Sequence, residues 1–171
     1  MTTLRWGVLS TANIGKKAVI PAILKSDNGR LTAIASRDPV RGQAFALPFS
    51  KEQGGPPIRV YDSYADLLAD PDVDAIYNPL PNALHKEWSI RAMQASKHVL
   101  CEKPLGIDLA EVDEMIAVAQ GTDRLLMEAF MYRFHPRIQR SLALLKEGTV
   151  GRLRTIRSAF TFPLSNRATS A

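Results

Sequence analysis

Short apolar runs and longer stretches with helical spacing take turns along most of this chain. Residues 5–10, 31–35, 58–61, 74–77, 98–101 and 124–129 carry the short runs, and each reads as a buried strand. Between them, residues 13–25 place Ile14, Ala18, Ile20 and Leu24 on one helical stripe, with Pro21 expected to kink or split it. Asp38 is placed to cap a helix that runs to about residue 46, with Pro39 in its first turn. Residues 48–57 hold Pro48, Gly54, Gly55, Pro56 and Pro57 and predict a loop. Further helices are predicted over 63–69, 82–95, 108–120 and 135–146, the last ended by Gly148. In the helix over 108–120, Leu109, Val112, Met115, Ile116 and Ala119 make the apolar stripe.

Strands separated by crossover helices imply a doubly wound parallel sheet covered on both faces, an α/β fold. Such sheets bind ligands outside the carboxyl ends of their strands. Chemistry is therefore expected just after each strand. The last segment departs from this pattern. In residues 151–162, Ile156, Ser158, Phe160 and Phe162 alternate with Arg157, Ala159 and Thr161, which predicts an amphipathic strand suited to an antiparallel sheet. The expected organisation is a nucleotide-binding domain over 1–132. A connecting helix and the first strand of a truncated C-terminal α+β open-faced sheet domain follow over 133–171. A strand left with bare edges there is expected to self-associate or stay unstructured.

The charge is unevenly spread. The net formal charge is +5, with +7 from Arg133 onward and −2 before it. A basic end suits nucleic acid, an acidic partner domain or a phosphate-bearing ligand. The basic residues are not interleaved with stacking aromatics, which argues against single-strand binding, and no nucleic-acid partner is expected. No apolar run approaches the roughly 20 residues that span a bilayer, so no membrane is expected. One cysteine, Cys101, excludes an internal disulfide and fits a reducing, cytoplasmic setting. No metal site is expected.

The turn after the first strand is Ser10-Thr11-Ala12-Asn13-Ile14-Gly15. It stands where a Gly-x-Gly-x-x-Gly phosphate turn would stand, with Ser10 and Ala12 for the first two glycines. Small residues there let backbone N–H groups and a helix N-terminus approach a pyrophosphate. The second strand ends in Ser36-Arg37-Asp38. An acid there would favour NAD, and a cation favours the 2′-phosphate of NADP. Arg37 with the Ser36 hydroxyl fits NADP, with NAD the weaker alternative. After the fourth strand come Pro79, Leu80, Pro81, Asn82 and His85, with Asn82 placed to cap the next helix and His85 in its first turn at the ligand edge, where on the residues alone a capping and packing histidine is favoured over one that bonds a sugar or amide. Glu102-Lys103-Pro104 follows the fifth strand. A lysine desolvated beside an acid can exchange protons, with Glu102 orienting it, and a surface ion pair is the simpler alternative. After the sixth strand, Arg133 and His135 are placed to face nicotinamide or substrate.

These stretches resemble the Gfo/Idh/MocA oxidoreductases. The likeness is carried by Glu102-Lys103-Pro104, by Pro79-Leu80-Pro81-Asn82 with His85, and by residues 128–136. The opening Trp6-Gly7-Val8-Leu9-Ser10-Thr11-Ala12 resembles the subgroup of dimeric dihydrodiol dehydrogenases and NADP-dependent D-xylose dehydrogenases. The resemblance implies a Rossmann-type fold and an NAD(P)-dependent enzyme acting on the CH–OH group of a sugar or trans-dihydrodiol. Lys103, Glu102 and His85 would be its catalytic group. The cofactor would be held by Ser10, Thr11, Ala12, Asn13, Ile14, Gly15, Ser36, Arg37, Pro79, Leu80, Asn82, Glu102, Lys103 and Arg133. It also implies homodimers through the C-terminal sheet and members about twice this length. An NADP(H)-binding fragment without turnover is the alternative expectation.

Overall fold

A computed structural model describes residues 2–161. These fall into two compact units, one through Phe130 and one from Met131 onward. The first unit is a six-stranded sheet in the order β3-β2-β1-β4-β5-β6, with every pairing parallel. Its strands are β1 (Leu4–Leu9), β2 (Gly29–Ala35), β3 (Arg59–Tyr61), β4 (Ala75–Asn78), β5 (His98–Cys101) and β6 (Leu126–Glu128). The helices α1 (Ile20–Lys25), α2 (Pro39–Gln53), α3 (Tyr64–Ala69), α4 (His85–Gln94) and α5 (Leu109–Thr122) connect them. The chain leaves β1 toward β2 and later returns to β4 on its other side. This reversal opens a crevice beyond the carboxyl ends of β1 and β4.

Alternation along the strands builds two cores. Val8, Ile34 and Tyr77 face α1 and α2, where Ile20, Phe45 and Phe49 meet them. Leu9, Ala35, Ile76 and Val99 face the other way, onto Leu67, Leu68, Ala92 and Met93. Gly7 lies where β1 and α3 come closest. A methyl group there would stand 2.8 Å from Leu67 Cδ2 and 3.0 Å from both Ile76 Cδ1 and Val73 Cγ1. At the amino edge of the sheet, Arg5 grips Asp74 Oδ2 and Oδ1 at 2.9 and 2.7 Å and Asp72 Oδ1 at 2.8 Å. The guanidinium holds the Asp74 carboxyl below its ordinary range.

Several expectations are corrected by packing. The helix from Asp38 does not stop near residue 46. It runs through Pro48 to Gln53, because Phe49, one residue past the proline, is buried and packs edge-on against Phe45 at 5.6 Å. The predicted loop therefore shrinks to the residues after Gln53. Gln53 ends the helix against β2. Its side chain donates to the Leu31 carbonyl at 3.1 Å and accepts the Leu31 N–H at 2.7 Å. Pro21 stands where the helical stretch is divided, at the start of α1, as expected. A wider π turn over Gly15–Val19 precedes it, which makes room for a ring that lacks an N–H. The α5 stripe is only partly buried: Met115 is inside, while Leu109 and Ile116 are exposed. Ile14 is likewise exposed.

The second unit holds a 3₁₀ turn over Met131–Phe134 and α6 (Pro136–Lys146). Residues 151–161, expected as an amphipathic strand, carry no regular element. A strand needs a neighbouring ladder for its backbone groups, and the described residues of this unit offer none. Phe162, part of the same expectation, lies outside the described residues. No helix among the described residues is long and apolar enough to cross a membrane.

Candidate active site

Three strand ends build a cleft of about 460 Å³. Ser10, Thr11 and Ala12 come from the turn after β1, Ser36, Arg37 and Asp38 from the turn after β2, and Pro79, Leu80 and Pro81 from the loop after β4. Arg41 and Tyr64 complete the wall. Of the expected cofactor residues, Ser10, Thr11, Ala12, Ser36, Arg37, Pro79 and Leu80 are gathered here. Asn13, Ile14, Gly15, Asn82, Glu102 and Lys103 do not line this cleft. Gly15 is buried, and a methyl on it would stand 3.4 Å from the Tyr77 ring. Arg133 lies in the second unit.

The turn after β1 is unusual in one respect. Ser10 has φ +83°, the left-handed region where glycine sits without strain. Its hydroxyl oxygen is shielded from solvent and has no hydrogen-bond partner within the protein. A buried polar atom without a partner within the protein costs free energy. Arg37 and Arg41 stand exposed at the other end of the cleft. Asp38 lies between them in sequence, and its carboxylate accepts the Arg41 N–H at 3.0 Å and caps α2. Ser36 departs from its expected role. Its hydroxyl donates to the Asp38 carbonyl at 2.8 Å, so that proton is already committed inside the turn. Arg41 was missed because it lies one helical turn past the strand end, on an exposed helix face that has no motif of its own. Tyr64 packs edge-on against Trp88 at 5.0 Å, which fixes its ring.

A second cluster lies one strand further along. Lys103 follows β5 and is exposed, and among the described residues it makes no ion pair. The desolvated pocket expected around it is therefore not built by this unit. The backbone on both sides of it is nevertheless held firmly. The Glu102 N–H donates to the Asn78 carbonyl at 3.0 Å, and the Leu105 N–H donates to Glu128 Oε1 at 2.9 Å. The Tyr77 hydroxyl donates to Glu102 Oε1 at 2.7 Å. Burial and this carboxylate together push the Tyr77 phenol well above its ordinary range, so it stays a donor. Glu102 is thus oriented by Tyr77 rather than paired with Lys103. Tyr77 escaped the sequence reading because a strand residue of a buried sheet reads as packing, and neither Asn78 nor Glu128 had been given a role in holding this backbone. The Cys101 thiol beside them is pushed up to about 12, chiefly by burial, and stays protonated near neutrality.

His85 is corrected most. The resemblance made it catalytic, and instead it is the packing histidine that the residues alone favoured, fully buried at the first residue of α4. Its Nδ1 lies 2.7 Å from the Pro104 carbonyl and its Nε2 lies 2.8 Å from the Leu80 carbonyl. A neutral ring donates from one nitrogen and a doubly protonated ring from both. Both faces of its hydrogen-bonding capacity are taken by backbone, and neither nitrogen is left for substrate. Asn82 does not cap α4, which has no side-chain cap. The buried Asn78 amide instead donates to the His85 carbonyl at 3.3 Å and to Ser89 Oγ at 3.0 Å. His135, in the second unit, caps α6 by accepting the Arg137 N–H at 3.1 Å, so that nitrogen is engaged. Among the described residues no group of three or more His, Cys, Asp or Glu side chains could hold a metal ion.

Comparison with known proteins bears on this geometry. A family model described as an oxidoreductase family with an NAD-binding Rossmann fold, Gfo/Idh/MocA, matches residues 4–130. The D-xylose 1-dehydrogenase (NADP+) 2 of Haloferax volcanii is 42% identical over 165 residues, covering 96% of this chain and 48% of that enzyme. The trans-1,2-dihydrobenzene-1,2-diol dehydrogenase of Mus musculus is 37% identical over 164 residues, covering 95% and 47%. A 3-ketoreductase from Actinomadura kijaniata, crystallised with TDP-benzene and NADP, superposes with a TM-score of 0.76 at 40% identity. That match covers 90% of this chain and 45% of that one. The chain spans about half the length of the curated relatives it matches.

Proposed function

Since this chain belongs to the Gfo/Idh/MocA oxidoreductases, we propose that it grips NADP in the cleft between β1, β2 and β4. Lys103 is then the group that handles the proton in hydride transfer at a sugar or dihydrodiol CH–OH carbon. The observation that carries this reading is the pair of exposed cations, Arg37 and Arg41, at a strand end where the one acid, Asp38, caps α2 and is outnumbered. A 2′-phosphate placed there meets two guanidinium groups against the single carboxylate of Asp38, one oxygen of which is engaged by the α2 backbone. The residues fit the rest of a dinucleotide as well. Thr11 and Ala12 let the turn's backbone come close to phosphate, and the unpartnered Ser10 hydroxyl supplies a buried donor.

When bound, the nicotinamide supplies or accepts the hydride. The protein's own part is positioning and proton handling. In its neutral form the Lys103 amine takes the substrate hydroxyl proton during oxidation, and it returns that proton during reduction. Glu102, the residue before the lysine, is held by the Tyr77 hydroxyl. Titrating the 171-residue chain with NADPH and NADH at fixed salt, by nicotinamide fluorescence, tests the reading. NADPH is expected to bind roughly ten- to a hundredfold tighter, the worth of charge-assisted contacts to one phosphate. Equal affinities overturn it.

A second reading concerns turnover. Lys103 is exposed, and catalytic electrostatics weaken in water-filled sites. The isolated chain therefore reads as a holder of NADP(H) with little or no dehydrogenase activity on xylose or diols. Homodimers of the family type, a sugar or diol substrate and a cytoplasmic setting remain proposals for the longer protein.

A further inference from the structure

We propose that His85 is a positioning residue that couples the dinucleotide cleft to Lys103. This rests on the NADP reading above for what fills the cleft. The ring is fully buried, and its contact with Leu80 is shielded from competing water while that with Pro104 is half-buried. One nitrogen holds the carbonyl of Leu80, which lines the cleft, at 2.8 Å. The other lies 2.7 Å from the carbonyl of Pro104, the residue after Lys103, and a doubly protonated ring donates to both carbonyls. Leu80 and Pro104 belong to loops that follow two different strands. The imidazole joins them through a rigid planar body whose ring can only move as one piece.

Leu80 cannot slide alone, because the Asn78 side-chain oxygen accepts its N–H at 3.3 Å. The Asn78 carbonyl in turn accepts the Glu102 N–H. The backbone of Lys103 is thus pinned before it by Asn78 and after it by His85, both from the segment that walls the cleft. A nucleotide pressing on the loop over 79–81 is transmitted to the lysine without touching it.

The test uses 2′-phospho-ADP-ribose, which fills the adenosine and pyrophosphate part of the cleft but carries no nicotinamide to shield Lys103. Acylation of Lys103 by acetic anhydride is followed by peptide mass spectrometry, normalised to the exposed Lys25. In the native chain the saturated cleft is expected to slow Lys103 acylation about fivefold, the low end of ordinary coupling between sites. His85→Asn keeps an amide near the Nδ1 position and His85→Gln keeps one near Nε2, so each severs one arm while leaving a polar group in the buried site. Both are expected to bind the probe within about threefold of the native chain and to lose the change at Lys103. If either variant slows Lys103 as the native chain does, the coupling is refuted. If the native chain binds the probe and Lys103 does not respond, the coupling is refuted without any variant. No binding by the native chain would remove the NADP reading and the coupling together, a result distinct from the other two.

Discussion

The two halves of the candidate site are built in opposite ways. Around the cleft, the groups that would meet a ligand are left loose. Arg37 and Arg41 are exposed, and the Ser10 hydroxyl is buried with nothing to bond. Around Lys103, the backbone is fastened by Asn78, Glu128 and His85, and the neighbouring carboxylate by Tyr77. The difference teaches where each part obtains its order. Flexible cations can wait for a phosphate, because the ligand itself supplies the organising charge. A proton-transfer group has no such organiser and must be held in place by the fold.

The strongest way to break this contrast is at the loose end. Arg41→Glu is expected to weaken NADPH binding by roughly tenfold to a hundredfold while barely changing NADH, since one charge-assisted contact is replaced by repulsion. Nicotinamide fluorescence titrations of both dinucleotides measure it. A parallel loss for NADH would mean that Arg41 supports the fold rather than the phosphate. At the fastened end, Tyr77→Phe removes the donor to Glu102. Stability is expected to fall by about 1–2 kcal/mol, read as a lower thermal midpoint, with NADPH affinity nearly unchanged. An unchanged midpoint would show that the Lys103 frame is not held this way. The smallest effect is expected at Ser10→Gly. It removes left-handed strain and an unsatisfied hydroxyl, so the free chain should gain about 1 kcal/mol in a denaturant melt. NADPH should bind slightly more weakly for want of that donor. A loss of stability would mean that the hydroxyl already has a structural use.

Much of this arrangement was legible in the residue pattern. All six strands of the sheet announced themselves as apolar runs, and their parallel order followed from the helices between them. The cleft was legible through Ser10 to Ala12 and through Arg37, because small residues and a cation after a strand have a direct physical meaning. What stayed hidden depended on tertiary packing. Pro48 signalled a loop until Phe49 found the core. His85 took a catalytic role from the resemblance, and a histidine near a helix start gives no sign of whether carbonyls from two distant loops will close on it. Residues 151–161 alternate as a strand does, yet alternation sets only which face is apolar and provides no partner ladder. Tyr77 illustrates the same limit from within a strand. Its ring belongs to the core, and only the fold reveals that its hydroxyl reaches a carboxylate 25 positions away.

Gln53 carries a consequence for how the sheet ends. The strand β3 covers only the carboxyl half of β2, pairing Ala33 through Ala35. Beyond that, the backbone of Leu31 would face outward as an open template for another chain. The carboxamide of Gln53 presents one donor and one acceptor in the spacing of a peptide group, and it fills both positions. One side chain thus acts as a single residue of missing strand, sealing the margin against pairing with a neighbour.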